Sequence, residues 1–329
     1  MDRRTFIRGV LRTAGLVSAG GRGVTNRRAL WTRPAAAALA VLALSLIASV
    51  CRPPDKPQAQ ATGPVIRLVY RTLQPGEPIV VFLETDGTAK SASVTFLGRT
   101  VDLMPAPGGR SVFAFLGIDL QAKSGSHTMT IKVRKAGGTI ETILKELLVS
   151  EKEFPFTKLQ LKREYVTPPA SALARIKREA ELVALATSVV TPEWLGDGSF
   201  VLPHDAPSWS NFGQRRLNNN VLESVHSGLD IRVPFGGRIR AANAGTVVLA
   251  SDLYLGGKTV IIDHGLGVFS SYGHMSELLV KRGEAVKKGA PLGLCGSTGR
   301  STGPHLHWAV KILDVRVDPE AMLRLPLDK

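Results

Sequence analysis

The chain has 329 residues, a length that suits two folded domains and a leader, and its 44% hydrophobic content is enough to build real cores. The formal charge of +15 raises nucleic acid as a partner, but the first 34 residues hold eight Arg and one Asp, so about +8 remains for the rest. No aromatic-and-basic recognition signature accompanies that charge, which sets nucleic acid aside and leaves an anionic cell wall or membrane as the suitable counterpart.

Residues 1–51 read as a targeting region and not as part of a fold. Arg3-Arg4-Thr-Phe-Ile-Arg8 resembles a twin-arginine export motif, interrupted by Arg12. Residues 34–50 form an apolar run of 17 preceded by Arg27, Arg28 and Arg33. Such a run is a signal-peptide core or a short membrane anchor through residues 34–51. Cys51 follows in a stretch similar to a lipoprotein cleavage box, with Val50 where a small residue is expected. Each version places the folded part outside the cytoplasm, in the cell envelope, free in the periplasm or anchored facing it. Residues 52–63, rich in Pro, Gln and Ala, read as a flexible tether.

Residues 64–150 read as a β-sandwich of the immunoglobulin-like kind. Thr128–Val133 alternates, with Met129, Ile131 and Val133 on one face. Ile79–Leu83, Val94–Phe96 and Val112–Phe115 add strands, punctuated by turns at Pro75-Gly76, Asp86-Gly87 and Pro107-Gly-Gly109. The simplest role for this module is a stabilising spacer. Residues 151–198 read as a linker with a helix over 168–187, Thr167 at its N-cap and Pro168 in its first turn. Leu173, Ile176, Ala180, Val183 and Leu185 approximate its apolar stripe. Residues 199–329 read as mostly β, with strands at Leu229–Val233, Thr246–Ala250, Thr259–Asp263, Val268–Tyr272 and His305–Leu313. Cys295, in an apolar run, is expected as a free buried thiol.

Five residues of this last region carry the chemistry: His226, Asp230, His274, His305 and His307. His305-Leu-His307 opens a β-prone run, and residues two apart on a strand share a face. A catalytic zinc takes three protein ligands and keeps a position for water. His226 and Asp230 supply two, with Gly228 giving the segment between them room to bend. One histidine of the His-x-His pair supplies the third, and the other, with His274, flanks the reacting water. Nucleotide and serine-hydrolase chemistry are set aside, because no Walker-type loop, Gly-x-Gly-x-x-Gly turn or Gly-x-Ser-x-Gly elbow occurs.

The stretches Asn211-Phe-Gly-Gln-Arg-Arg216, His226-Ser-Gly-Leu-Asp230, Ile262-Asp-His-Gly265, Tyr272-Gly-His274 and Gly296-Ser-Thr-Gly-Arg-Ser-Thr-Gly-Pro-His-Leu-His307 resemble the lysostaphin/LytM-type zinc metalloendopeptidases of peptidoglycan. The resemblance implies a twisted antiparallel β-sheet peptidase domain with a groove across it and one Zn2+ per chain. It implies His226, Asp230 and His307 as metal ligands, His274 and His305 as catalytic histidines, and His264 as structural. Tyr272, Arg300 and Ser301 are expected beside the substrate. The implied partners are the peptide stems of peptidoglycan and an envelope regulatory protein. The rival reading is a wall-binding scaffold or amidase activator, against which the intact ligand set argues.

Overall fold

The apolar runs expected as strands are strands in the computed structural model, which describes residues 64–84, 87–109 and 111–327. The export region, the tether, Cys51 and Asp86 lie outside the described residues.

The N-terminal sheet comprises β1 (Val65–Val69), β2 (Pro78–Glu84), β3 (Ala89–Phe96), β4 (Arg99–Pro105), β5 (Val112–Gly117), β6 (Gly125–Lys135) and β7 (Ile140–Val149), in the order β1-β2-β5-β4-β3-β6-β7. Strand β4 belongs to both leaves: Arg99–Leu103 pairs with β3, while Met104 and Pro105 pair with β5. A strand that changes partner in this way is how a sheet folds over its own core. Ile79, Val81, Val94, Phe96, Leu116, Met129, Ile131 and Val133 fill that core.

β2 and β5 are buried on both faces and show no polar alternation. Their second face supplies Val80, Phe82, Phe113 and Phe115 to the core of the C-terminal sheet. Residues 64–150 therefore do more than space two bodies; they line the same interior as the C-terminal region. The contact is close: a Cβ added to Gly117 would lie 2.8–2.9 Å from the Val315 side chain. Arg71 bridges Glu77 and Asp318 at 2.6 Å each across the seam.

Next come β8 (Phe156–Leu159), α1 (Arg163–Val166), α2 (Ala170–Ala186), β9 (Arg215–Asn218) and β10 (Leu222–Val225). β8 pairs in parallel with β9, which pairs with β10, so the expected linker is built into a sheet. Thr167 does not cap α2. It is the C-cap of α1, and Pro169 occupies the α2 N-cap without a side-chain hydrogen bond. The cause is the Pro168-Pro169 pair: a residue before proline is pushed out of the helical region, so α2 starts only after the second proline. The apolar stripe is also turned from the expected one. Leu173 and Leu185 are 54% and 69% exposed, while Val183 and Ala186 pack on Leu249, Leu253, Ile261 and Phe269.

The C-terminal sheet contains β11 (Leu229–Ile231), β12 (Arg238–Arg240), β13 (Gly245–Leu253), β14 (Gly257–Asp263), β15 (Val268–Leu278), β16 (Ala285–Val286), β17 (Pro291–Cys295), β18 (Leu306–Ile312) and β19 (Val315–Val317), followed by α3 (Pro319–Met322). Its main path runs β11-β18-β15-β14-β13-β16, with β17 joining β15 to β12 and β19 extending from β18. All of these pairs are antiparallel. Alternation sorts β18 into two faces. Leu306, Trp308, Val310 and Ile312 enter the shared core, while His307 and Ala309 line a groove on the opposite face. Helix α2 lies over the far end of that groove.

Candidate metal centre and its groove

Sheet register brings two of the five residues together. Asp230 on β11 is the cross-strand partner of His307 on β18, and Gly273 on β15 flanks His307 on the other side. His226 follows β10 and is anchored by backbone bonds with Gln214 and Gly213. The three donor atoms form a small triangle. His226 Nε2 lies 3.0 Å from Asp230 Oδ1 and 3.0 Å from His307 Nδ1, and His307 Nδ1 lies 2.9 Å from Asp230 Oδ1. Sides near 3 Å are compatible with bonds of about 2.0–2.2 Å to one shared cation.

The surroundings of the triangle also fit a cation. His226 Nδ1 lies 2.9 Å from the Asn211 carbonyl, which only accepts, so the ring proton sits there and Nε2 turns a lone pair inward. That lone pair faces a carboxylate oxygen, an arrangement relieved by a positive charge between them, either a metal cation or a proton shared along the Nε2–Oδ1 contact. The other oxygen, Asp230 Oδ2, accepts from Asn211 Nδ2 and Arg216 Nη2, both at 2.9 Å. The carboxylate therefore presents a single oxygen to the centre. Burial works to raise the Asp230 pKa, but hydrogen bonds with His226 and His307 overcome it and hold the carboxyl well below its ordinary range. His307 is held down to about 4, chiefly by burial.

Gly228 has a different role from the one expected. A Cβ there would lie 2.7 Å from His307 Cε1, His307 Nε2 and the Trp308 carbonyl. The glycine is required so that the His226–Asp230 segment can pass directly over the His307 ring, and its φ is not left-handed.

His274 and His305 stand on the groove side of the triangle, their ring centroids 4.8 Å apart. His305 Nε2 lies 3.6 Å from Asp230 Oδ1. Both rings are fixed alike: His274 Nδ1 is 2.8 Å from the Thr298 carbonyl, and His305 Nδ1 is 2.8 Å from the Gly303 carbonyl. In the neutral tautomer this geometry selects, each Nδ1 carries the proton and each Nε2 the lone pair. Burial, with the charges of His307 and His305, holds His274 down at about 3. Trp209 packs edge-on against His305, with centroids 6.0 Å apart.

His274 reaches the groove through a β-bulge. Lys258 and Val260 pair with Met275 and Tyr272, so β15 spends one extra residue there. His274 takes that place with φ +65°. A regular strand would put Tyr272 and His274 on one face; the bulge turns His274 outward. Tyr272 consequently does not reach the substrate side, contrary to expectation. It is fully buried, and its hydroxyl accepts from the Ala242 amide at 2.8 Å. His264 is likewise enclosed, 2.6 Å from the Ala244 carbonyl and 2.7 Å from Ser270 Oγ.

Arg300 and Ser301 line the groove. Ser301 Oγ donates to the Gly303 carbonyl at 2.6 Å and lies 3.3 Å from His305 Nδ1, so it fastens the loop that carries His305. The sequence reading assigned no role to Trp209, Asn211 or Arg216. The last two sit in the Asn211–Arg216 stretch that helped carry the resemblance, and a polar residue opening that stretch was the available signal. The groove encloses about 550 Å³ around the five residues and continues into about 610 Å³ beneath α2.

Peptidase family M23 matches residues 224–319. A crystal structure of an M23 peptidase from Pseudomonas aeruginosa is 32% identical, covers 77% of this chain and 95% of its own, and superposes with a TM-score of 0.58. The chain belongs to peptidase family M23. Two curated relatives match over about a third of the chain. Peptidoglycan DD-endopeptidase ShyA of Vibrio cholerae is 42% identical over 30% of this chain and 23% of its own length. DD-carboxypeptidase/endopeptidase Mpg of Neisseria meningitidis is 38% identical over 33% of this chain and 25% of its own. The chain thus aligns with about a quarter of each of these relatives.

Proposed function

We propose that the protein is a zinc-dependent endopeptidase of the cell envelope that hydrolyses the peptide cross-links of peptidoglycan. The observation that carries this reading is the triangle of His226, Asp230 and His307 with two further histidines beside it, each bound through Nδ1 to a backbone carbonyl. His226 Nε2, Asp230 Oδ1 and His307 Nδ1 would hold one Zn2+ per chain. When bound, the ion supplies Lewis acidity that polarises a carbonyl and makes water acidic enough to react near neutral pH. Within this chain, one of His305 and His274 accepts the proton of the attacking water at Nε2, and the other, once it carries a proton at Nε2, steadies the developing oxyanion or returns that proton to the leaving amine. Asn211 and Arg216 hold Asp230 in its one-oxygen posture. The relatives named as peptidoglycan DD-endopeptidases support the substrate class, and a wall substrate in turn supports placement in the envelope.

The test is digestion of purified cross-linked muropeptides by the zinc-loaded chain, read by mass spectrometry beside His307→Ala. Conversion of dimers to defined monomers by the unsubstituted chain alone is expected and names the bond. Dimers left intact by a chain carrying one zinc would overturn the endopeptidase reading and favour the scaffold.

A further inference from the structure

Around the five residues, three guanidinium groups line the groove, those of Arg216, Arg300 and Arg316, against the one described carboxylate of Asp230; Glu179 and Asp314 line its continuation beneath α2. Asp230 is already engaged on both oxygens. Arg216 is engaged too, through Asp230 and Gln214. Neither Arg300 nor Arg316 has a hydrogen-bond or ion-pair partner for its side chain among the described residues; Arg300, half-buried, is the one on the loop that carries His305. Both burial and the positive charge of Arg216 act against its own charge, and no acidic group offsets them.

The backbone around Arg300 is nevertheless firmly built. Its amide donates to the Leu255 carbonyl at 2.9 Å. Gly299 before it has φ +69°, and a Cβ there would lie 2.6 Å from that same carbonyl. The loop is thus pinned to the β13–β14 turn while its one cationic side chain is left without an acceptor. Holding an unpaired guanidinium partly out of water is unfavourable, and a planar fork of donors matches a carboxylate in two-point fashion.

We infer that Arg300, backed by Arg216, is the receptor for a free carboxylate of the bound peptide, so the groove selects an anionic stem on charge. This rests on the peptidase reading above and adds a specificity-determining residue to it. The carboxylate docks beside the histidines without contacting the three metal-binding atoms, and around the five residues Asp230 is the one acid among the described lining residues.

The test is calorimetric titration of the zinc-loaded full chain and its Arg300→Gln variant with two ligands. One is a disaccharide-peptide monomer with free stem carboxylates; the other is the same monomer with those carboxylates converted to amides. The unsubstituted chain is expected to bind the free acid about 10- to 100-fold more tightly than the amide. Arg300→Gln is expected to lose that preference while retaining its zinc content. Equal binding of acid and amide by the unsubstituted chain overturns the inference, whatever the variant does, as does a preference that survives in Arg300→Gln. Cleavage of muropeptide dimers distinguishes the two failures: equal binding with cleavage removes only the carboxylate receptor, whereas no binding and no cleavage removes the peptidase reading as well.

Discussion

Arg216 meets Asp230 at 2.9 Å through Oδ2, the carboxylate oxygen that turns away from the two histidines. Asn211 binds the same oxygen at 2.9 Å and also accepts the Asp230 amide at 3.1 Å. Partners of this kind fix the direction of a metal ligand, and their loss typically weakens metal binding about 10- to 100-fold. Arg216→Gln and Asn211→Ala should each show a loss of that order in zinc affinity by chelator competition. Affinities unchanged in both would show that Asp230 needs no such support.

Removal of His307 and removal of His305 should have separable effects. His307→Ala deletes a corner of the triangle and should lose both bound zinc and hydrolysis. His305→Ala leaves the three donor atoms in place and should keep its zinc while turnover falls about 10²- to 10⁴-fold, the usual contribution of a positioned acid or base. Metal analysis alongside muropeptide cleavage checks both, and full activity in zinc-replete His305→Ala would refute its catalytic role.

Gly228→Ala places a methyl 2.7 Å from the His307 ring and the Trp308 carbonyl. Overpacking of this size typically destabilises by about 1–3 kcal/mol. Because the ring must yield before the strand backbone does, zinc affinity should fall along with denaturant stability. A variant with native stability and affinity would mean the segment can shift freely.

Acid should destabilise the fold through His264. Complete burial holds this histidine down at about 4, against an ordinary value near 6.5. Its folded-state pKa is the lower one, so the unfolded chain binds the proton more readily. The contribution is fully present above about pH 6.5 and declines as pH falls towards 4, by about 3 kcal/mol in total. Urea denaturation across that window should show the decline, and His264→Gln should show a shallower one. Parallel slopes would assign the acid sensitivity to other groups.

Phe115 packs tilted against Trp194, ring centroids 4.9 Å apart, and belongs to the core shared with the C-terminal sheet. Phe115→Ala should cost about 3–5 kcal/mol. The loss should appear as one lowered thermal transition, followed equally by Trp fluorescence and by zinc release. Two separate transitions would argue that the sheets unfold independently.

What sequence could and could not supply follows from the kind of information each feature needs. His226, Asp230 and His307 are recognisable because residue type and short spacing are themselves the signal, and the structure brings those atoms within about 3 Å. The bulge at His274 was hidden. A one-residue register change depends on the partner strand, so Tyr272 and His274 looked alike in facing when they are opposite. The double burial of β2 gave Ile79–Leu83 the look of a plain apolar run; only the tertiary fold says that two cores claim alternate residues. Thr167 looked like a cap by type, yet the following proline pair controls where α2 can begin. Leu173 and Leu185 are apolar but exposed, because the sheet beneath α2, and not the helix's own pattern, selects the buried face.

Val310, Ile312, Val315 and Val317 meet the N-terminal sheet through β2 and β5. A region that borrows part of its lining from its neighbour would, if cut from it, expose that apolar lining to water. The strands that hold the histidines are thus propped by a sheet that the chain completes before residue 150, so a cavity opened in β2 or β5 is felt beneath the groove.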